Sequence, residues 1–208
     1  MNVVFDFGAV LFTWQPADVV AEAFPARAAT QADAQQLAHA FFSHQDWHNF
    51  DRGLMAMDTL IERTASRLKL DPAKVQALVR GIGERLLPIQ ETVDLLQTLQ
   101  RKRVIGAGVR GLYFLSNMPA PYARELEQRH AFLNHFDGGI FSADVLCSKP
   151  DAAIYRLLQS RYDLEPTRTV FIDDLQANVD AAAALGWKGI QFASAAQLRD
   201  ELQLQCGL

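Results

Sequence analysis

The chain has 208 residues, of which half are apolar, and its formal net charge is −4. This length and apolar content allow one sizeable core and exclude disorder, while the interspersed charges leave no basic stripe for nucleic acid, so a small anionic substrate is the better expectation. No secretory leader pattern and no run of eighteen apolar residues is found, so we expect a soluble, cytoplasmic protein without a membrane partner.

The first predicted element is a short strand, Val3 to Phe5, which ends in Asp6. Gly8 follows two residues later. A carboxylate that directly ends an apolar run is badly placed to serve as a solubilising charge. Because ligands bind beyond the carboxyl ends of strands in an open parallel sheet, Asp6 is the first candidate for chemistry.

Residues 16–87 contain no convincing strand and are predicted to be helical. Thr30 with Asp33 resembles a helix N-terminal cap, and Asp71 before Pro72 places a cap ahead of a proline at the first helical position. A structureless loop of this length would be unusual. We therefore predict a small helical insertion that covers one edge of the sheet.

In the second half of the chain, short apolar runs alternate with longer segments of helical spacing. The runs are residues 112–115, 139–141, 169–172 and 189–192, and the helical segments are residues 119–130, 151–162 and 176–186. This alternation predicts a parallel sheet buried by helices on both faces. Residues 101–111, which are rich in Arg, Lys and Gly, are predicted to form an exposed loop before the second strand, with an anion-binding loop as the alternative.

Acidic residues follow two of these predicted strands. Asp6 ends the first, and Asp173 with Asp174 ends the fourth. Carboxylates that converge in a partly buried cleft raise one another's pKa unless a cation lies among them. Mg²⁺ prefers oxygen ligands and leaves positions for water and phosphate, so these residues are candidate magnesium ligands.

Three further polar residues lie near the ends of the second and third strands: Ser116, Asn117 and Lys149. Their hydroxyl, amide and ammonium groups suit the binding of phosphoryl oxygens, and Asp6 is a candidate nucleophile toward phosphorus. Each of these residues alone is an ordinary turn or capping residue. Their joint placement at the strand ends is what predicts a phosphoryl-transfer site.

These motifs resemble those of the haloacid dehalogenase-like hydrolase superfamily. The matching segments are VVFDFGAVL with Asp6 and Val10, LYFLSN with Ser116, SKPDAAIY with Lys149, and VFIDDLQANVDAAAALG with the acidic pair. The resemblance implies an α/β, Rossmann-like core formed by residues 1–15 and 88–208. It also implies a helical cap formed by residues 16–87, inserted after the first motif.

Within the superfamily, the first motif is most similar to that of glucose-1-phosphate phosphatases and of the phosphatase domain of soluble epoxide hydrolases. The resemblance implies that Asp6 is the nucleophile and a magnesium ligand, that the Gly8 carbonyl and Asp174 are further ligands, and that Asp173 acts through water or as a support. Lys149 would assist catalysis and bind phosphate together with Ser116 and Asn117.

One departure from the family pattern concerns proton transfer. Most phosphatases of this superfamily carry a second Asp two residues after the nucleophile, where it protonates the leaving oxygen, and this chain has Gly8. Losing a positioned acid or base typically lowers the rate by about a hundredfold to ten-thousandfold. Candidates for compensation in the predicted cap are His44, His48 and Arg52.

Three functions remain open at this stage. The leading hypothesis is a magnesium-dependent phosphomonoesterase that acts on a small phosphate ester, such as a sugar phosphate, through an aspartyl phosphate. The alternatives are a metal-independent 2-haloacid dehalogenase, disfavoured by Gly8 and the acidic pair, and a non-catalytic protein that binds phosphorylated metabolites.

Cys147 and Cys206 match no metal-ligand spacing and are expected to be reduced thiols. The substrate and the oligomeric state are not predicted.

Overall fold

A computed structural model of the protein describes all residues from Met1 to Leu208 and contains one sheet of five parallel strands. The strand order across the sheet is β3-β2-β1-β4-β5, which confirms the predicted α/β fold. The strands are β1 (Asn2–Phe5), β2 (Gly111–Ser116), β3 (Gly138–Phe141), β4 (Thr169–Asp173) and β5 (Lys188–Gln191).

Six consecutive helices leave the sheet after β1 and are called here the inserted helices. They are α1 (Pro16–Ala23), α2 (Gln31–Phe42), α3 (Gln45–Asp51), α4 (Met57–Leu68), α5 (Pro72–Arg80) and α6 (Ile82–Arg85).

The remaining helices connect or follow the other strands. They are α7 (Gln90–Val104), α8 (Ala120–Arg129), α9 (Ala152–Tyr162), α10 (Gln176–Ala183) and α11 (Ala195–Cys206). Short 3₁₀ turns occupy residues Ala131–His135, Ser142–Asp144 and Pro166–Arg168. No helix combines the length and the apolar character that a bilayer-spanning segment requires.

Two of the inserted helices begin at the predicted capping residues. The Thr30 hydroxyl accepts a hydrogen bond from the Asp33 N–H, and the Asp33 carboxylate accepts one from the Thr30 N–H, which forms a capping box. The Asp71 carboxylate accepts a hydrogen bond from the N–H of Ala73, with Pro72 at the first helical position. Local capping chemistry therefore marks these helix starts in the sequence.

The sheet is covered on both faces, because side chains alternate along each strand. Val3 and Phe5 pack into the larger apolar cluster, which runs without interruption into the inserted helices. Val4 points to the opposite face and packs against Tyr155 of α9 and Ala182 of α10. The inserted helices thus share a core with one face of the sheet.

One predicted boundary was wrong. Residues 101–111 were expected to form a loop, but helix α7 continues to Val104, and only residues 105–110 connect it to β2. Three basic residues, Arg101 to Arg103, lie in the last turn, where the partial negative charge of the helix C-terminus favours cations. The charge run therefore belongs to a helix end.

The division between a core and a cap at residues 15/16 and 87/88 stays a prediction.

Candidate active site

The carboxyl ends of the parallel strands meet at one edge of the sheet, and a cavity of about 580 Å³ opens there. Asp6, Ser116, Lys149 and Asp174 line it from the sheet edge, and residues of the inserted helices line it from the other side. β2 and β3 lie on one side of β1, and β4 and β5 lie on the other, so the strand order reverses at β1. Open α/β sheets bind ligands at such points.

Lys149 bridges two buried carboxylates. Its ammonium Nζ lies 2.8 Å from Asp6 Oδ1 and 2.6 Å from Asp173 Oδ2. Burial lowers the pKa of Lys149, but the two carboxylates raise it more, and the net pKa is raised. The lysine is therefore charged and holds both acids in place.

The Asp6 carboxyl has a perturbed pKa. Burial raises it, Lys149 opposes that shift, and Asp173 and Asp174 raise the pKa further, to about 7. Oδ1 of Asp6 accepts hydrogen bonds from Lys149 and from the N–H of Phe7, at 2.8 and 2.7 Å. No residue donates to Oδ2, so this oxygen is free for a ligand or an electrophile.

Asp173 differs from the other two acids because its oxygens are already engaged by the protein. Oδ1 accepts hydrogen bonds from the N–H of Leu175 and from Nδ2 of Asn178, both at 2.9 Å. Oδ2 accepts from Lys149 and, at 3.0 Å, from the same Asn178 amide. The side chain is completely buried and does not line the cavity. This geometry suits a support for Lys149 better than a direct metal ligand.

Asp174 lines the cavity, and its carboxylate accepts no hydrogen bond from another residue. Burial, followed by the charge of Asp173, raises its pKa. Oxygens of Asp6, Asp173 and Asp174 all lie within 4.8 Å of one another. Three carboxylates against the single ammonium of Lys149 leave an excess negative charge, so the residues present fit a divalent cation.

The two polar residues at the end of β2 have different surroundings. The Ser116 hydroxyl is buried at the cavity wall and makes no hydrogen bond to the protein. The Asn117 amide binds the backbone of Lys149: its Oδ1 accepts from the N–H of Lys149 at 2.9 Å, and its Nδ2 donates to the Lys149 carbonyl at 3.0 Å. The Asn117 side chain therefore holds the Lys149 backbone, and the Asn117 backbone N–H remains free for a phosphate.

Gly8 lies in a tight turn after β1 and lines the cavity. The Phe7 carbonyl accepts hydrogen bonds from the N–H groups of Leu11 and Phe12, at 2.9 and 2.8 Å. A Cβ added at Gly8 would lie 3.8 Å from the Trp14 Cβ, which is ordinary van der Waals contact. The site therefore has space for the first atom of a side chain at this position, although the chain supplies none.

The wall opposite the charged groups is apolar. Its buried members come from the inserted helices, the segment before α7, and the end of β2 with α8; they are Ala38, Phe42, Trp47, Ile82, Leu86, Met118 and Tyr122. Polar lining residues of the inserted helices, such as Gln35 and His39, are exposed and lie at the rim. The interior thus combines a charged floor with an apolar wall.

The model of the haloacid dehalogenase-like hydrolases matches residues 1–186. The chain belongs to the haloacid dehalogenase-like hydrolase family. As a member of this family it is a hydrolase, which confirms the resemblance of its motifs.

Individual relatives agree with this assignment. The chain is 29% identical over 204 residues to a sesquiterpene phosphatase of Aspergillus oryzae, covering 98% of this chain and 95% of that protein. It is 26% identical over 203 residues to a drimenol cyclase of Aspergillus calidoustus, with 98% of this chain and 35% of that longer protein covered. Among solved structures, a family enzyme from Bacteroides thetaiotaomicron in complex with magnesium and inorganic phosphate superposes with a TM-score of 0.70 at 18% identity, covering 92% and 93% of the two chains.

The structure brings together all the residues predicted from the hydrolase motifs. Of the three residues considered as replacements for the proton donor absent at Gly8, only one lines the cavity. His48 lines the cavity at its exposed rim. His44 accepts a hydrogen bond from the N–H of Asp46 as the cap of α3. The Arg52 guanidinium donates to Asn49 and to the His48 carbonyl and does not line the cavity.

Asp51, which sequence reasoning missed, lines this cavity from the last residue of α3. It lies in the inserted helices and follows no strand, so the strand-end pattern that indicated the other site residues did not include it.

Proposed function

We propose that the protein is a magnesium-dependent phosphomonoesterase whose substrate joins a phosphate to an apolar organic group. The observation that carries the proposal is the free Oδ2 of Asp6, a carboxylate oxygen beside Lys149 in an acidic cluster that faces a large cavity. A carboxylate so placed is a nucleophile for phosphorus, and an aspartyl phosphate divides the hydrolysis into two easier steps.

The surrounding residues supply complementary roles. Lys149 and the Ser116 hydroxyl lie on the cavity wall and would stabilise the phosphoryl oxygens, over which charge spreads in the transition state. Asp6, Asp174 and the carbonyl of Gly8 would hold Mg²⁺, which neutralises the phosphate charge when bound. Asp173 would keep Lys149 in position through its buried ion pair. The magnesium and phosphate bound by the Bacteroides enzyme support this arrangement.

The apolar wall favours a hydrocarbon over a sugar as the organic group. Buried side chains such as Phe42, Trp47 and Met118 offer no hydrogen-bond partners to buried sugar hydroxyls except the indole N–H of Trp47, and unpaired hydroxyls are costly to bury. The two fungal relatives, a sesquiterpene phosphatase and a drimenol cyclase, support an isoprenoid-like group. A sugar phosphate is therefore the less favoured substrate.

Phosphate release from a prenyl monophosphate, octyl phosphate and a hexose phosphate, each measured with Mg²⁺ and with EDTA, tests the proposal. We expect Mg²⁺-dependent release and a kcat/KM for the prenyl and octyl esters at least about tenfold above that for the sugar ester, since one buried methylene alone is worth about tenfold or more. Asp6→Asn should abolish release, whereas Asp58→Asn, an exposed carboxylate change in α4, should leave it unchanged.

Three outcomes would contradict the proposal. Equal phosphate release by Asp6→Asn and by the unchanged protein would show that Asp6 is not the nucleophile. Halide release from a 2-haloacid that persists in EDTA would favour a dehalogenase, and binding of phosphate esters without turnover would favour the non-catalytic alternative.

A further inference from the structure

The proposed reaction needs a proton for the leaving oxygen, and Gly8 cannot provide it. We propose that the carboxyl group of Asp51, at the C-terminal end of α3, donates this proton and later takes one from the attacking water. The inference rests on the proposed phosphatase function and adds a residue from the inserted helices to the reaction.

The first observation is the position of Asp51. It lines the same cavity as Asp6 and Gly8, but from the side of the inserted helices. Its carboxyl group forms no ion pair and accepts no hydrogen bond, and the residue is half-buried. Four other acids near Asp51 or on the elements around it, Asp46, Glu125, Glu127 and Asp144, are all paired with arginine. Asp51 is therefore an unpaired acid on the wall of the cavity that also contains Asp6.

The second observation is how the backbone around Asp51 is held. The Ser142 hydroxyl donates a hydrogen bond to the Asp51 carbonyl and accepts one from the N–H of Met118 at 2.9 Å. Two residues later, Gly53 has a φ of +70° and approaches the Ala143 carbonyl so closely that a Cβ would lie 2.7 Å from that oxygen. The end of α3 is thus fastened to the strand ends that carry the phosphate site.

The electrostatic surroundings raise the pKa of this acid. Burial raises the pKa of Asp51 well above its ordinary value, and the charge of Arg52 opposes the shift only in part. The Arg52 guanidinium donates its hydrogen bonds to Asn49 and to the carbonyl of His48, not to Asp51.

The groups that face Asp51 from neighbouring elements do not cancel this effect. On α8, burial and then Asp51 itself raise the pKa of Tyr122, which stays neutral, and Glu125 pairs with Arg129. Arg63 of α4 pairs with Asp46, and Asp144 in the turn after β3 pairs with Arg124. A raised pKa favours the protonated form that a proton donor requires.

Other donors on the cavity wall are less suitable. The Tyr122 hydroxyl donates its proton to the Val79 carbonyl at 2.6 Å. His48 is exposed at the rim, where water competes for its hydrogen bonds. Lys149 is held between Asp6 and Asp173 and is needed there as a charge.

The two steps balance as follows. Asp6 Oδ2 attacks phosphorus, the bond from phosphorus to the ester oxygen breaks, and that oxygen takes the Asp51 proton, so an alcohol leaves. Asp51, now a carboxylate, removes a proton from water while the water oxygen attacks phosphorus. The bond between phosphorus and Asp6 breaks, inorganic phosphate forms, and Asp51 is protonated again.

The test is Asp51→Asn assayed with two esters, octyl phosphate and p-nitrophenyl phosphate. The kcat/KM value reports the steps up to departure of the leaving group, which is the step that a proton donor assists. Nitrophenolate departs without a proton, so its departure does not need the donor. We expect kcat/KM for octyl phosphate to fall about a hundredfold to ten-thousandfold, as is typical when a general acid is removed, and kcat/KM for p-nitrophenyl phosphate to change less than about threefold.

The pH profile and a rescue variant extend the test. In the unchanged protein, kcat/KM for octyl phosphate should fall as the pH rises through the pKa of Asp51, and this limb should be missing in Asp51→Asn. Adding Gly8→Asp to Asp51→Asn should raise kcat/KM for octyl phosphate at least tenfold above that of Asp51→Asn alone, because a Cβ fits at Gly8. Asp58→Asn is the matched control on the inserted helices and should leave both esters unaffected.

An equal loss for both esters in Asp51→Asn, or no loss for octyl phosphate, would overturn the inference, since Asp51 would then be structural or irrelevant. Asp51→Asn should fold, because the carboxyl has no partner to lose, and Asp51→Ser repeats the test with a different neutral side chain. Failure of the unchanged protein to release phosphate would instead refute the proposed function, so the two failures are distinguishable.

Discussion

Replacing Lys149 by methionine removes the ammonium group at the centre of the acidic cluster and nearly preserves the length of the side chain. The side chains of Lys149, Asp6 and Asp173 are 1%, 11% and 0% exposed, and the ammonium lies 2.8 and 2.6 Å from the two acids. Removing one partner of such a buried pair costs about 3–5 kcal/mol, because the remaining charge stays buried without compensation. Here two carboxylates lose their only cation.

A loss of this size is large, since a whole domain has a free energy of unfolding of about 5–15 kcal/mol. At about 2–4 °C per kcal/mol for a protein of this length, Tm should fall by about 6–20 °C in the absence of metal. The loss should also depend on pH. Without Lys149 the pKa of Asp6 rises beyond its value of about 7. A folded-state pKa raised above the unfolded one removes stability as the pH rises from the unfolded pKa to the folded pKa. Lys149→Met should therefore be less destabilised at pH 5 than at pH 8.

Urea unfolding in EDTA at pH 5 and pH 8 measures both effects. Lys74→Met, which alters an exposed lysine of α5, is the matched control and should stay within about 0.5 kcal/mol of the unchanged protein. A loss below about 1 kcal/mol at pH 8, or equal losses at the two pH values, would refute the view that Lys149 compensates buried carboxylates.

Three further outcomes are expected. Mg²⁺ at a hundredfold excess over its Kd should raise the free energy of unfolding by about 2.7 kcal/mol, seen as a higher Tm that EDTA reverses, and Asp174→Asn should weaken this gain. Ser142→Ala leaves the Met118 N–H and the Asp51 carbonyl without their partner and should cost about 1–3 kcal/mol in urea unfolding. Trp14 is a partly buried apolar residue that also lines the cavity, and Trp14→Ala should lower kcat/KM for a prenyl phosphate by about tenfold or more, while a methyl phosphate is unaffected.

The strands and helices around the sheet were predictable because each carries a strong local signal. The apolar runs are completely buried in β1 and β4, and capping residues such as Thr30 and Asp71 mark helix starts through bonds to their own neighbours. The charged floor of the site was predictable for a related reason. Its residues directly follow strands, and parallel strands bring their carboxyl ends to one edge.

Contacts between distant segments were not predictable in the same way. Asp51 reaches the site only because the inserted helices fold back onto the sheet edge and Ser142 fastens them there. Nothing in the sequence around Asn117 indicates that its amide binds the backbone of a residue 32 positions away. The end of α7 was misplaced because a basic run reads as a loop, whereas the helix C-terminus favours it.

The charged residues of the site lie at the sheet edge, and the apolar wall is built largely by the inserted helices. This separation affects how the substrate specificity of the protein can be changed. Substitutions at Trp14 or Phe42 reshape the space for the organic group without touching the ion pairs of Lys149. A library restricted to the wall therefore searches for new substrates while the nucleophile and its partners stay constant. Retargeting this enzyme is a problem of fitting hydrocarbon shapes, and the hydrolytic chemistry need not be designed again.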